Sequence, residues 1–228
     1  MGADVARPLG VTAVLFDLDG TLADSAGDLA LALNMIRASR GLPAMPDAEL
    51  RPHASSGARG LLNRGMGITT EHAEYAALRE TFLSNYEGCL ARNTTLFDGV
   101  LPLLDEMEAR GLAWGIVTNK HARFTAPLVK ALGLVPRSRV VVSGDTTPHA
   151  KPHPAPLLHA AEQLGIEPAR CVYVGDDLRD VEAGNAAGMA TIVAGYGYMG
   201  TGGDARRWPA TGWIDTPLDL LDWLPARG

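Results

Sequence analysis

The chain has 228 residues, 46% of them hydrophobic and 20% charged, with a formal net charge of -6. That length exceeds one modal domain but is short for two independent ones, so one core with an elaboration is expected. The composition excludes a disordered chain, and an acidic balance without a basic cluster excludes a nucleic-acid binder; small anionic substrates stay open, because a bound cation can reverse the local sign.

Cys89 and Cys171 are the only cysteines, far apart and outside any CxxC pair, which reads as two reduced buried thiols rather than a disulfide framework or a zinc site. Residues 1–9 lack an apolar leader core, and no later segment runs for about eighteen apolar residues. A soluble, cytoplasmic protein with no membrane partner is expected.

In chain order, Val11, Ala13, Val14, Leu15 and Phe16 form a run too apolar for a half-exposed strand, so it reads as a buried parallel one. It ends at Asp17 and Asp19. These have opposite strand parity around Leu18, so the backbone must leave β geometry here, and Gly20 permits that. Asp24 or Ser25 then caps a helix carrying Leu29, Leu33 and Ile36, which ends near Gly41. Further helical stretches are read over residues 47–53, 57–64 and 71–86, and no strand is expected between Leu22 and Thr95.

The rhythm changes at Phe97 to Val100, which open a helix closing at Gly111. Strands over residues 112–117, 139–143, 171–174 and 190–193 then alternate with helices ending at Gly133, Gly165 and Gly188. Strands alternating with helices in this way imply α/β architecture: a doubly wound parallel sheet with a Rossmann-like core. The all-helical stretch after the first strand is an insertion. The expected division is a core of residues 1–21 and 96–228 and a helical cap of residues 22–95, placed over the carboxyl edge of the sheet as a candidate lid.

Polar groups collect at that edge. The first strand ends in Asp17 and Asp19, the second in Thr118 and Asn119, Lys151 follows the third, and the fourth ends in Gly175-Asp176-Asp177 with Asp180 a turn later. Open α/β sheets place ligands there. Gathered carboxylates repel unless a hard cation neutralises them, and oxygen ligands suit Mg²⁺; Lys151 and the Thr118 hydroxyl could then hold phosphate oxygens.

These four motifs, in this order and over residues 11–200, resemble those of the haloacid-dehalogenase-like hydrolase superfamily. The resemblance implies that Asp17 is the nucleophile, forming an aspartyl-phosphate, and that Asp19 moves protons. It implies Mg²⁺ held by Asp17, by the backbone carbonyl of Asp19 and by Asp176, with Asp180 or Asp177 in support, and a phosphoryl group bound by Thr118 and Lys151, with Asn119 beside them among the substrate-binding residues. A carboxylate at Asp19 is what a phosphatase needs. Residues 17–28 (DLDGTLADSAGD) are similar to phosphoglycolate phosphatases, while the cap residues Ser55, Ser56, Gly57 and Arg59 resemble the specificity loop of those enzymes and also of N-acetylmuramic acid 6-phosphate phosphatases. The partner implied is a small phosphorylated metabolite, with the chain a monomer or homodimer.

Other readings stand beside these. Asp177 could simply cap the next helix, and Arg59 could pair with a substrate carboxylate through its planar fork or be a surface residue at a helix start. Asn119 alone is an ordinary turn former. Gly195-Tyr-Gly-Tyr-Met-Gly200 matches GxGxxG but opens no helix, which argues against a dinucleotide fingerprint and for a loop beside the site. His149, Lys151 and His153 alternate among prolines at no zinc spacing. Trp208, Trp213 and Trp223 read as packing residues. A phosphomutase would retain every core motif, and a receiver-type phosphoaccepting module shares the acidic, Thr and Lys pattern.

Overall fold

Strand β1 (Ala13–Phe16) lies in the middle of the sheet, with all four residues buried. In the computed structural model, which describes residues 9–201 and 203–226, it pairs in parallel with β4 (Ala113–Val117) on one side and β6 (Cys171–Gly175) on the other. Both faces are covered, so the strand alternates between two cores rather than between core and water. Val14 and Phe16 join one apolar cluster with Val100, Leu104 and Trp114; Ala13 and Leu15 join the other with Leu157 and Tyr173.

The sheet extends outward through β5 (Val141–Val142) beside β4, and through β7 (Ala190–Ala194) and β8 (Gly212–Ile214) beyond β6, giving the order β5-β4-β1-β6-β7-β8, all parallel. The chain runs outward from β1 in one direction and then returns to build the other half. That reversal opens the crevice at the carboxyl end of β1 where ligands bind in such sheets. The crossover helices are α5 (Val100–Ala109), α6 (Ala122–Ala131), α7 (Ala155–Leu164) and α8 (Leu178–Ala186).

Between β1 and α5 the chain is almost wholly helical: α1 (Ala26–Ser39), α2 (Asp47–Leu50), a 3₁₀ segment Arg51–Ser56, α3 (Gly57–Met66) and α4 (Tyr75–Cys89). Leu29, Leu33 and Ile36 of α1 pack with Leu62, Leu78 and Phe82 in a separate apolar cluster. Each such side chain contributes roughly 1.5–3 kcal/mol when fully buried. Phe124 of α6 and Tyr198 enter the same cluster, so the helical segment rests on the α/β part.

Two expectations need correction. Ala23–Asp24 (β2) and Thr95–Leu96 (β3) form a short antiparallel ribbon at the two ends of the helical segment, where no strand was expected. Two residues show no alternation, so nothing local marks them as strand. The expected strand over 139–143 contracts to Val141–Val142, while β8 was missed because Trp213 lies between turn-rich stretches and its pairing to β7 is a long-range contact. No helix among the described residues is long and apolar enough to cross a membrane.

Candidate active site

Everything in the site starts from how β1 ends. The ladder continues one residue past the strand, with the Asp17 N–H donating to the Val174 carbonyl, and the chain then turns through Gly20 at φ 86°. A Cβ at Gly20 would lie 2.2 Å from Asp176 Oδ2, so this glycine answers both a left-handed backbone and the close approach of β6. The turn keeps Leu18 in the core and sends Asp17 and Asp19 to different partners.

Asp17 Oδ1 accepts from the Leu18 N–H at 2.7 Å and lies 2.9 Å from Lys151 Nζ; Oδ2 has no partner among the described residues. Lys151 is buried and also reaches Asp180 at 2.7 Å, donating besides to the Tyr173 hydroxyl at 2.7 Å and the Val117 carbonyl at 3.1 Å. Asp176 is shielded from solvent and meets no side-chain cation among the described residues: its oxygens accept from Thr21 Oγ1 at 3.1 Å and the Tyr198 N–H at 2.9 Å. Asp17, Asp176 and Asp180 present carboxylate oxygens within 4.8 Å of one another.

The electrostatics follow from that packing. Burial, only partly offset by Lys151, pushes the Asp17 carboxyl up to about 6. Burial and the adjacent carboxylates of Asp17 and Asp180 drive Asp176 well above the usual carboxylate range. Burial works against the Lys151 ammonium, but Asp17 and Asp180 outweigh it and hold its pKa above the ordinary lysine value. The cluster is short of positive charge.

Asp19 turns away from this cluster. Both its oxygens accept from Lys120 Nζ, at 2.9 and 3.0 Å, and Oδ1 also accepts from the Ser25 hydroxyl. Lys120 in turn lies 4.7 Å from the centre of the Tyr86 ring on α4, a cation–π contact between the sheet edge and the helical segment. A cavity of about 280 Å³ opens between the two parts; Asp17, Asp19, Thr118 and Lys151 line it from the sheet, and Ser56, Gly57 and Arg59 from the helices.

The haloacid dehalogenase-like hydrolase family model matches residues 14–194. The chain belongs to that family. A Pseudomonas aeruginosa N-acetylmuramic acid 6-phosphate phosphatase is 42% identical, the match covering 93% of this chain and 94% of the relative. A Xanthomonas campestris phosphoglycolate phosphatase is 43% identical over 94% of this chain and 96% of its own. The crystal structure of a predicted phosphoglycolate phosphatase from Haemophilus somnus superposes with a TM-score of 0.81 at 27% identity, covering 93% of this chain and 97% of that one.

In this haloacid dehalogenase-like site the strand-end acids part ways. Asp17, Asp176 and Asp180 converge; the Asp19 side chain stands apart with Lys120. Asp177 caps α8, its Oδ1 accepting from the Arg179 N–H at 3.0 Å, and forms a two-point ion pair with the Arg179 guanidinium, so Asp180 and not Asp177 joins the carboxylate cluster. Thr118 is buried at the cavity, and its Oγ1 accepts from the Lys120 N–H. Asn119 uses both ends of its amide on the backbone of Lys151, at 2.9 Å each, and so acts as a brace for the lysine. Arg59 is exposed at the cavity mouth.

Sequence reasoning missed Lys120, Ser25, Tyr173, Tyr198 and Arg179. The Gly195–Gly200 stretch does lie beside the site, as a packed clamp: a Cβ at Gly197 would meet Asp176 Cβ and the Gly20 carbonyl, both at 2.3 Å. The Tyr198 hydroxyl accepts from the Ser25 and Ala26 N–H groups at 2.7 and 2.9 Å, supplying the start of α1 with the acceptor that Ser25, committed to Asp19, does not provide. Lys120 stood next to Thr118 and Asn119 in the motif itself, the one signal that was available.

Proposed function

We propose that this hydrolase is a Mg²⁺-dependent phosphomonoesterase whose substrate is a small phosphate ester bearing a second anionic group, 2-phosphoglycolate first. One observation carries the reading. Three carboxylates converge, and the one ammonium among them, Lys151, pairs with Asp17 and Asp180 but not with Asp176, which leaves two negative charges for a divalent cation to balance. The donors are all oxygen, as a hard cation requires. Asp17 and Asp176 would hold the ion, with Asp180, already serving Lys151 and the Asp177 N–H, the weaker donor. When bound, the ion supplies charge neutralisation at the phosphoryl oxygens.

The residues divide the remaining work. Asp17, with Oδ1 occupied, attacks phosphorus through Oδ2; the O–P bond forms as the ester oxygen leaves. Asp19 gives a proton to the leaving oxygen, then removes one from the water that cleaves the aspartyl-phosphate and releases inorganic phosphate. Lys151 and Thr118 hold phosphoryl oxygens, Lys151 offsetting charge as it develops. The helical segment, residues 22–95, acts as a cap that excludes bulk water and offers Ser56, Gly57 and Arg59 to the rest of the substrate. Its position on the cavity wall supports that role.

A second reading takes N-acetylmuramic acid 6-phosphate as substrate, favoured by the 42% identity to an enzyme of that name. Both candidates carry a carboxylate. Comparing kcat/KM for 2-phosphoglycolate, N-acetylmuramic acid 6-phosphate, glucose 6-phosphate and ethyl phosphate orders them, since discrimination lives in that ratio. Higher kcat/KM for the two uncharged-tail esters would refute the anionic-substrate reading. An isomerised ester in place of inorganic phosphate would make the chain a phosphomutase, and a long-lived phosphorylated protein without turnover would make it a receiver module.

A further inference from the structure

Arg179 lies on the first turn of α8, two residues past the cap residue Asp177. Its Nε donates to Asp177 Oδ1 at 2.8 Å, and its Nη2 donates to Asp177 Oδ2 at 2.9 Å and across the cavity edge to the Ser55 carbonyl at 2.7 Å. That last bond joins the sheet edge to the 3₁₀ segment just before α3. The third nitrogen, Nη1, has no partner among the described residues, although the guanidinium lines the cavity and is only 30% exposed. A guanidinium is a rigid fork with five donors, so fixing one edge on Asp177 aims the free edge rather than leaving it to wander.

A second observation points to the same place. Ser55 Oγ is shielded from solvent, has no hydrogen-bond partner among the described residues, and belongs to a residue on the wall of the same cavity. Buried hydroxyls left without a partner are uncommon, and they carry a desolvation cost that a ligand group would remove. An unused N–H pair and an unused hydroxyl, linked through the Ser55 backbone, form a donor set with no acceptor. An anion would complete it.

We propose that Arg179 is a specificity-determining residue: Nη1, together with the Ser55 hydroxyl, receives the second anionic group of the substrate, a carboxylate or a second phosphate, while the phosphoryl group lies at Asp17 and Lys151. The assignment rests on the phosphomonoesterase reading and adds a sheet-side contact to the cap-side Arg59. Because the same guanidinium holds the Ser55 carbonyl, the Ser55 backbone is anchored beside it.

The test is a ratio. For wild type, Arg179→Gln and Ser55→Ala, kcat/KM is measured on 2-phosphoglycolate, on ethylene glycol bisphosphate and on ethyl phosphate, which lacks a second anion. Loss of a charged hydrogen-bond partner predicts that Arg179→Gln lowers the anionic-to-ethyl ratio roughly 10- to 100-fold. The ester with the larger drop identifies carboxylate or phosphate as the recognised group. An equal loss on all three esters would mean that Arg179 only supports the fold, and would overturn the assignment. Should Arg179→Gln prove insoluble, Ser55→Ala decides: it keeps the carbonyl that Arg179 holds, and an unchanged ratio overturns the proposal. A wild-type ratio near one would instead remove the anionic-substrate reading itself, whereas a high wild-type ratio retained in both variants removes only the role of Arg179.

Discussion

Replacing Lys151 by Met removes the ammonium and keeps most of the side-chain length, which isolates the charge. In the native protein that ammonium bridges Asp17 at 2.9 Å and Asp180 at 2.7 Å, with all three side chains largely buried. Removing one partner of a buried ion pair costs about 3–5 kcal/mol, because a desolvated charge is left uncompensated. For a chain of this size that is roughly 6–20 °C in Tm. The sign of the pH dependence follows from Asp17, whose folded-state pKa, raised to about 6, lies above its ordinary value of 3.8. A raised carboxyl pKa gives stability that is present below the unfolded pKa and lost as pH rises through the folded one. Lys151 opposes that rise, so its removal moves the folded pKa further up and widens the deficit at high pH. Denaturant unfolding in EDTA at pH 5 and pH 8 should therefore give a penalty clearly larger at pH 8. A penalty below about 1 kcal/mol at both pH values would refute the claim that these carboxylates depend on Lys151.

The other expectations are simpler. Asp17→Asn should release no phosphate at a native-like Tm, and measurable turnover in that variant would remove Asp17 as nucleophile. Exhaustive chelation should abolish activity and Mg²⁺ restore it, with Asp176→Asn raising the half-saturating Mg²⁺ concentration at least about 10-fold; activity undiminished by EDTA would argue against a metal. Gly197→Ala places a Cβ 2.3 Å from both Asp176 Cβ and the Gly20 carbonyl, so it should weaken Mg²⁺ binding through a displaced Asp176 and raise the half-saturating concentration, and a variant with wild-type metal titration would show that the loop yields freely. Asp28 is buried on α1 and accepts from the Asn93 N–H, the Thr94 N–H and the Thr94 hydroxyl at 2.8, 3.1 and 2.6 Å. Asp28→Ala strands those donors and should cost roughly 3–5 kcal/mol by denaturant titration; a loss under 1 kcal/mol would mean water replaces the carboxylate.

Sequence alone determined the parallel α/β core, its helical insertion and the carboxyl-edge residues, because those properties are local. Buried strands read as unbroken apolar runs, helices carry apolar residues at their own period, and a motif at a strand end inherits its position from the strand. Asp17, Asp176, Asp180 and Lys151, which converge at that edge, were therefore visible before any fold was known.

What the tertiary structure alone decided is which group answers which. Asp177 and Asp180 are equivalent carboxylates in the sequence; the α8 cap and Arg179 claim one, and Lys151 draws the other into the cluster. Ser25 looks like an ordinary helix cap until Asp19 takes its hydroxyl and Tyr198, more than 170 positions away, caps α1 in its place. Asn119 reads as a turn residue or a substrate-binding one, and braces Lys151 because two separate loops meet there. Hydrogen-bond partners across the crevice depend on how the strands are ordered, and that order is set by long-range packing with no short-range trace in the chain. The same dependence applies at the end of β1, where the sequence specifies that two acids leave the strand at Gly20 and only the packing of β6, Lys151 and Lys120 around them separates their partners.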